Sequence, residues 1–136
     1  MSLDRPDLSG SAAFITGTTR GIGKQIALDL AAQGCNVVST GKTSENGDYG
    51  EDRDLSGSIE QTAREVADLG AEALPVQLDV RDETQVEAAA ERAIDEFGEV
   101  NIVINNASAI HLLDTTSLPP ERFDLMSDVN VRGTYA

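Results

Sequence analysis

The stretch Thr16-Gly17-Thr18-Thr19-Arg20-Gly21-Ile22-Gly23 constrains this chain more than any other. An apolar run, Ala12 to Ile15, leads into it, and a helical pattern from Ile22 to Gln33 leads out. A strand, a glycine-rich turn and a helix in that order present unpaired N–H groups and the positive end of a helix dipole to an anion such as phosphate. In this reading Gly17 allows the tight turn, Gly21 lets a pyrophosphate approach the backbone, and Gly23 lets helix and strand pack closely. A glycine triplet alone is common. The readable strand before it and helix after it turn it into a nucleotide-binding signal.

The rest of the chain repeats the same alternation. Ile22, Ile26 and Leu30, with Ala27 and Ala31, form an apolar helical stripe that stops at Gly34. Asn36 to Thr40 reads as a second strand and completes a βαβ unit. About 20 residues past the glycines, NAD-binding proteins carry Asp or Glu for the adenosine ribose. Here that place holds Gly41, followed by Lys42, with Arg20 inside the turn. A missing carboxylate and nearby cations suit a 2′-phosphate, so NADP is expected ahead of NAD. The alternative is that Lys42 and Arg20 are solvated surface residues.

Residues 43–58 are polar, Gly-rich and acidic, and read as a mobile loop without metal-ligand spacing. Ser58-Ile59-Glu60-Gln61 resembles a capping box, opening a helix whose stripe is Ile59, Ala63, Val66 and Leu69. Ala73 to Leu78 forms a third strand, placed at a sheet edge by Pro75. Asp79-Val80 follows it directly. Asp82 to Gln85 caps the next helix, lined by Val86, Ala89, Ala90, Ala93, Ile94 and Phe97. A fourth strand, Ile102-Val103-Ile104, is wholly apolar, as in the interior of a parallel sheet, and ends in Asn105-Asn106-Ala107-Ser108. Pro119-Pro120-Glu121 opens a last helix carrying Phe123, Leu125, Met126 and Val129. The expectation is a single dinucleotide-binding domain, 1–136. Its fold is α/β: a Rossmann-type, doubly wound parallel sheet with strand order 3-2-1-4 and helices on both faces.

Charge and cysteine usage narrow the function classes. Twenty-four acidic against ten basic residues give a net charge of -14, which disfavours nucleic acid and anionic membranes as partners. No apolar run approaches the roughly 18 residues of a membrane helix, and residues 1–10 lack the apolar centre of a secretory signal. The single cysteine, Cys35, excludes an internal disulfide and reads as a small buried residue. A cytoplasmic protein without a metal site is the simplest expectation. The acidity also suits a salt-rich cytoplasm, where self-repulsion is screened; a thermal midpoint indifferent to salt would remove that idea.

Four separated stretches now point the same way: Thr16-Gly17-x-x-x-Gly21-Ile22-Gly23, Asp79-Val80, Asn105-Asn106-Ala107 and Asn130. Together they resemble the short-chain dehydrogenase/reductase family from about Leu8 to Ala136. The stretches from Asn105 to Ile110 and from Asp124 to Tyr135 look closest to its hydroxysteroid dehydrogenase-like members. The resemblance implies that Gly17, Thr19, Arg20, Gly21, Ile22, Gly23, Lys42, Asp79, Val80, Asn106, Ala107 and Ser108 bind the cofactor. Within that set Asp79 would accept from the adenine amino group, and the Asn-Asn-Ala turn would back the cofactor. It also implies a catalytic role for Asn130, ordering a water in a proton relay. Ser108 departs from the commoner Asn-Asn-Ala-Gly turn.

In that family a later Ser and a Tyr-x-x-x-Lys pair carry the proton while hydride moves to or from nicotinamide. Neither has a counterpart here. Tyr49 lies in the acidic loop and Tyr135 comes too early, while Ser108 and the lone His111 are misplaced for the role. The resemblance therefore implies the cofactor-binding N-terminal portion of an NAD(P)-dependent oxidoreductase for a small carbonyl or alcohol, inactive by itself and a homo-oligomer when complete. The alternative is a non-catalytic NADP-binding sensor or assembly module.

Overall fold

The computed structural model describes residues 4–45, 47–48 and 57–136. Its central strand is β1 (Ala12–Ile15), flanked on one side by β2 (Asn36–Gly41) and on the other by β6 (Ile102–Ile104). β5 (Ala73–Gln77) pairs with β2, so the sheet runs β5-β2-β1-β6 with every pairing parallel. Counted over this sheet alone, that is the expected order 3-2-1-4. Pro75 sits on the edge strand, where a missing N–H leaves no central ladder broken.

Side-chain alternation sends consecutive residues to opposite faces. Ala13, Ile15 and Val37 pack with Ala27 and Ala31 of α1 (Gly21–Ala31) and Val66 of α2 (Ile59–Asp68). Val38, Val76 and Leu78 pack with Ala89 and Ala93 of α3 (Glu83–Phe97), joined by Phe14 and Leu74. Two cores therefore lie one on each face. Ile15, Val37 and Val38 are fully buried, each worth about 1.5–3 kcal/mol against exposure. Cys35 is buried in the first core, and its burial pushes the thiol pKa up, in keeping with a packing role.

The helix boundaries follow local chemistry. Ser58 caps α2, its side chain accepting from the Gln61 N–H at 3.1 Å, and Asp82 caps α3 by accepting from Thr84 and Gln85. Gly98, in the left-handed region at φ 80°, ends α3. α4 (Pro120–Ser127) opens on Pro120 and runs into a wider π turn over Asp128–Arg132, then a last helical turn, α5 (Gly133–Tyr135).

Several sequence expectations need correction. Ile22 is not part of the buried α1 stripe; it is 75% exposed. Leu69, Ala90 and Ile94 are exposed rather than core, because no element packs over those helix faces among the described residues. β6, by contrast, stands at the edge that the expected order 3-2-1-4 gives it, paired only with β1 among the described residues, and Val103 is 62% exposed. Phe123 of α4 is likewise exposed.

The stretch expected to be a mobile loop contains a short antiparallel ladder. β3 (Thr43–Ser44) pairs with β4 (Gly47–Asp48). Glu60 holds it down, accepting from the Ser44 hydroxyl at 2.6 Å and the Glu45 N–H at 3.0 Å. Burial raises the Glu60 pKa, but those hydrogen bonds outweigh it and hold the carboxylate below its usual range. Residue 46 and residues 49–56, with Tyr49 among them, lie outside the described residues.

Candidate functional site

A cleft of about 350 Å³ opens over the C-terminal ends of the parallel strands. In doubly wound sheets this is where ligands sit, beside the point at which strand order reverses. Here the reversal is at β1, whose neighbours β2 and β6 lead away in opposite directions.

Four strand ends contribute. Gly17, Thr19, Arg20 and Ile22 come from the turn after β1, and Thr40, Gly41, Lys42 and Thr43 from the end of β2. Leu78, Asp79 and Val80 follow β5, while Asn106, Ala107, Ser108 and Ala109 follow β6. Val129 of the π turn closes the wall. Ten of the expected cofactor-binding residues thus meet at one cleft: Gly17, Thr19, Arg20, Ile22, Lys42, Asp79, Val80, Asn106, Ala107 and Ser108. Gly21 and Gly23 do not line it.

Gly23 lies behind the wall instead. A Cβ there would overlap the carbonyl oxygen of Gly17 and the side-chain nitrogen of Asn106. Gly17 itself has φ 75°, a conformation that favours glycine. The Asn106 amide donates to the carbonyls of Thr16 at 3.1 Å and Gly17 at 3.0 Å. The Thr16 hydroxyl in turn accepts from the N–H groups of Asn106 and Ala107. Asn106 therefore fastens the glycine turn to the end of β6.

Behind the turn lies a buried hydroxyl network that sequence reasoning missed. Thr18 Oγ1 is 2.7 Å from Ser39 Oγ, and the Thr62 hydroxyl donates to the Thr18 carbonyl at 2.7 Å. Thr40 donates to the Ile15 carbonyl at 2.8 Å, and Ser39 to that of Ile59 at 3.1 Å. Thr62 thereby satisfies a carbonyl of the irregular turn, and the other hydroxyls tie the ends of β1 and β2 to that turn and to α2. Their only sequence signal is hydroxyl residues within otherwise apolar strand ends.

The N-terminus of α1 has no side-chain cap, because its N-cap residue is Arg20, and its first turn holds no acidic residue. The Arg20 guanidinium donates to the Thr43 hydroxyl at 3.2 Å, so it reaches across to the β2 end beside exposed Lys42. Arg20 and Lys42 thus place two cations on this rim of a chain of net charge -14. Gly41 is buried, and a Cβ on it would lie 2.9 Å from Thr19 Cγ2 and 3.3 Å from Ile59 Cγ2. The absence of a carboxylate at this position thus has a packing cause.

Asp79 lines the cleft with its side chain 13% exposed. Its backbone N–H donates to Gln85 Oε1 at 2.8 Å. Burial raises its pKa, but hydrogen bonds from Arg81, the Arg81 charge and more remote Lys42 hold it below the usual carboxylate range. Asn130 stands outside the cleft lining. Its Oδ1 accepts from the Ala109 N–H and its Nδ2 donates to the Ala109 carbonyl, both at 2.9 Å. The π turn is thereby tied to the segment after β6. His111 is half-buried and is not among the residues that line the cleft.

The sheet, the cleft at its reversal point and the glycine turn define a dinucleotide-fold protein. The family of short chain dehydrogenases matches over residues 11–136, and the chain belongs to that family. Human hydroxysteroid dehydrogenase-like protein 2 is 48% identical over 128 residues, 94% of this chain and 29% of the human protein. The Danio rerio protein of the same name is 46% identical over 94% of this chain. A short chain dehydrogenase structure from Mycobacterium thermoresistibile matches with a TM-score of 0.85 and 42% identity, over 94% of this chain and 44% of that one. A short-chain type dehydrogenase/reductase from Mycobacterium marinum gives 0.82 and 32%. The chain thus spans under a third of the human relative and under half of the M. thermoresistibile chain.

Proposed function

We propose that the cleft holds NADP, and that the chain is the cofactor-binding portion of an oxidoreductase for a small carbonyl or alcohol. The observation that carries the cofactor reading is the pairing of Arg20 and Lys42 at the rim with Gly41 where a ribose-binding carboxylate would stand. A 2′-phosphate there meets two cations, and Gly41 itself puts no carboxylate beside it. The close approach of Gly17, Gly23 and Asn106 leaves the uncapped start of α1 open to a pyrophosphate. Asp79 would accept from the adenine amino group, and Ala107 and Ser108 would back the nicotinamide end.

When bound, the cofactor supplies the hydride. The chain's own residues would orient it and shield one side from water. The proton is another matter. Tyr135, one of its two tyrosines, is 90% exposed, and no Tyr-x-x-x-Lys occurs in the chain. Asn130 would order a relay water with the one N–H and the one acceptor position that its amide keeps beside its two bonds to Ala109. The missing tyrosine–lysine pair favours the second reading, a nucleotide-binding module without chemistry, for the chain in isolation. The protein would lie in the cytoplasm and pair with itself when complete.

The test is a titration of the purified chain with NADPH and NADH, followed by the nucleotide's own fluorescence, which no tryptophan obscures. Saturable binding with NADPH the tighter ligand is expected. Equal affinities would sink the NADP assignment, and no saturation by millimolar nucleotide would sink the nucleotide reading itself.

A further inference from the structure

The carboxylate of Asp79 is gripped by a residue two places along the chain. Arg81 Nε lies 3.0 Å from Oδ1 and 3.1 Å from Oδ2, its Nη2 lies 2.6 Å from Oδ2, and its backbone N–H donates to Oδ1 at 3.0 Å. This is a fork-on-fork pair closed within one turn, and it fixes both the plane and the charge of the carboxylate.

The backbone beneath is fixed as well. The Asp79 N–H is held by Gln85, whose own amide donates to Asp82, the cap of α3. Arg81 lies in a second, polar depression with Asp128 and Arg132 of the π turn, and Asp79 forms the shared wall between it and the cleft. A carboxylate offers about four acceptor positions. Three N–H hydrogens of Arg81 are directed at this one, leaving capacity for about one further donor, and Asp79 lines the cleft from which that donor would come.

We propose that Arg81 is a positioning residue that makes the cleft selective for an amino-bearing purine over an oxo-bearing one. It fixes the plane of the Asp79 carboxylate in the cleft wall, with capacity left for about one further donor. An adenine amino group donates there. A hypoxanthine ring presents a carbonyl oxygen at the same place, and two acceptors facing each other repel. The inference rests on the reading of the cleft as a nucleotide site and adds the residue that sets its base preference.

The experiment measures dissociation constants of the purified chain for NADPH and for its deamino analogue, in which hypoxanthine replaces adenine. The unmodified chain should prefer NADPH by about tenfold or more, the scale of a hydrogen bond to a charged group. Arg81→Gln, which keeps the stem and loses the charged fork, should lower the ratio severalfold while leaving the analogue's affinity within about twofold. Arg81→Lys should restore part of the ratio, because a point charge holds one oxygen where the fork holds two. Far-ultraviolet circular dichroism of each variant confirms the fold. An unchanged ratio in Arg81→Gln would overturn the inference, and so would equal losses for both nucleotides, the mark of a merely structural role. No saturable NADPH binding by the unmodified chain would overturn the nucleotide reading and this inference with it.

Discussion

The side-chain nitrogen of Asn106 lies 3.0 Å from the carbonyl oxygen of Gly17, joining two turns 89 residues apart in the chain. Gly23 backs that contact so closely that a Cβ on it would overlap both atoms. Gly23→Ala therefore sets two effects against each other. Alanine favours the helix by about 1 kcal/mol, while forcing the turn apart costs about 1–3 kcal/mol. We expect a lower thermal midpoint and at least tenfold weaker NADPH binding. A raised midpoint with unchanged binding would show that the close approach is irrelevant.

Lys42 and Arg20 set the cofactor preference in the reading given above. Lys42 is exposed, so solvent screens its contribution. Lys42→Ala should remove about 1 kcal/mol of the preference for NADPH over NADH, and NADH affinity should stay the same. Calorimetric titration of both nucleotides decides it, and an equal loss for the two would refute a 2′-phosphate contact.

The Asp79–Arg81 pair predicts a pH dependence with a definite sign. Asp79 is held below its ordinary value in the folded chain, so it adds stability at pH values above that of the unfolded carboxylate, about 4. The contribution is lost as pH falls further, through the folded value. Arg81 is 38% exposed, so solvent keeps the effect to about 1 kcal/mol or less. Chemical denaturation of the unmodified chain and Arg81→Gln should differ at pH 6 and converge toward pH 3. A difference that persists or grows in acid would contradict the assignment.

Thr62 is fully buried and its hydroxyl donates to the Thr18 carbonyl at 2.7 Å. Thr62→Val keeps the volume and leaves that carbonyl without its donor, at about 1–3 kcal/mol. Because the carbonyl belongs to the glycine turn, nucleotide affinity should fall along with the unfolding midpoint. Stability unchanged within about 0.5 kcal/mol would mean that the turn relaxes at no cost.

By itself the chain should not turn over. General acid catalysis is worth about 10²–10⁴-fold, and no tyrosine–lysine pair is present to provide it. Assay of NADPH oxidation with a panel of aldehydes and ketones checks this on protein of verified mass. A rate clearly above the protein-free control would show that another residue donates the proton.

The sequence alone determined the elements and their order. The strand before Thr16, the helix after Gly21, the caps at Ser58 and Asp82 and the edge position of Pro75 all depend on neighbours within a few residues. Two-residue alternation likewise separated Val37 from Val38, one to each core. Which apolar residues are covered was decided only in three dimensions. Ile22 and Leu69 fit their helical stripes yet stand exposed, because burial depends on what packs above a position. The Thr18–Ser39–Thr62 network and the Asn106 staple join residues 21 to 90 places apart, beyond any local pattern. Arg81 lies only two residues from Asp79, yet nothing in the spacing shows a fork closed on the carboxylate. That closure needs the turn after β5 to aim both side chains to one side, and Gln85 of α3 holds the turn in place.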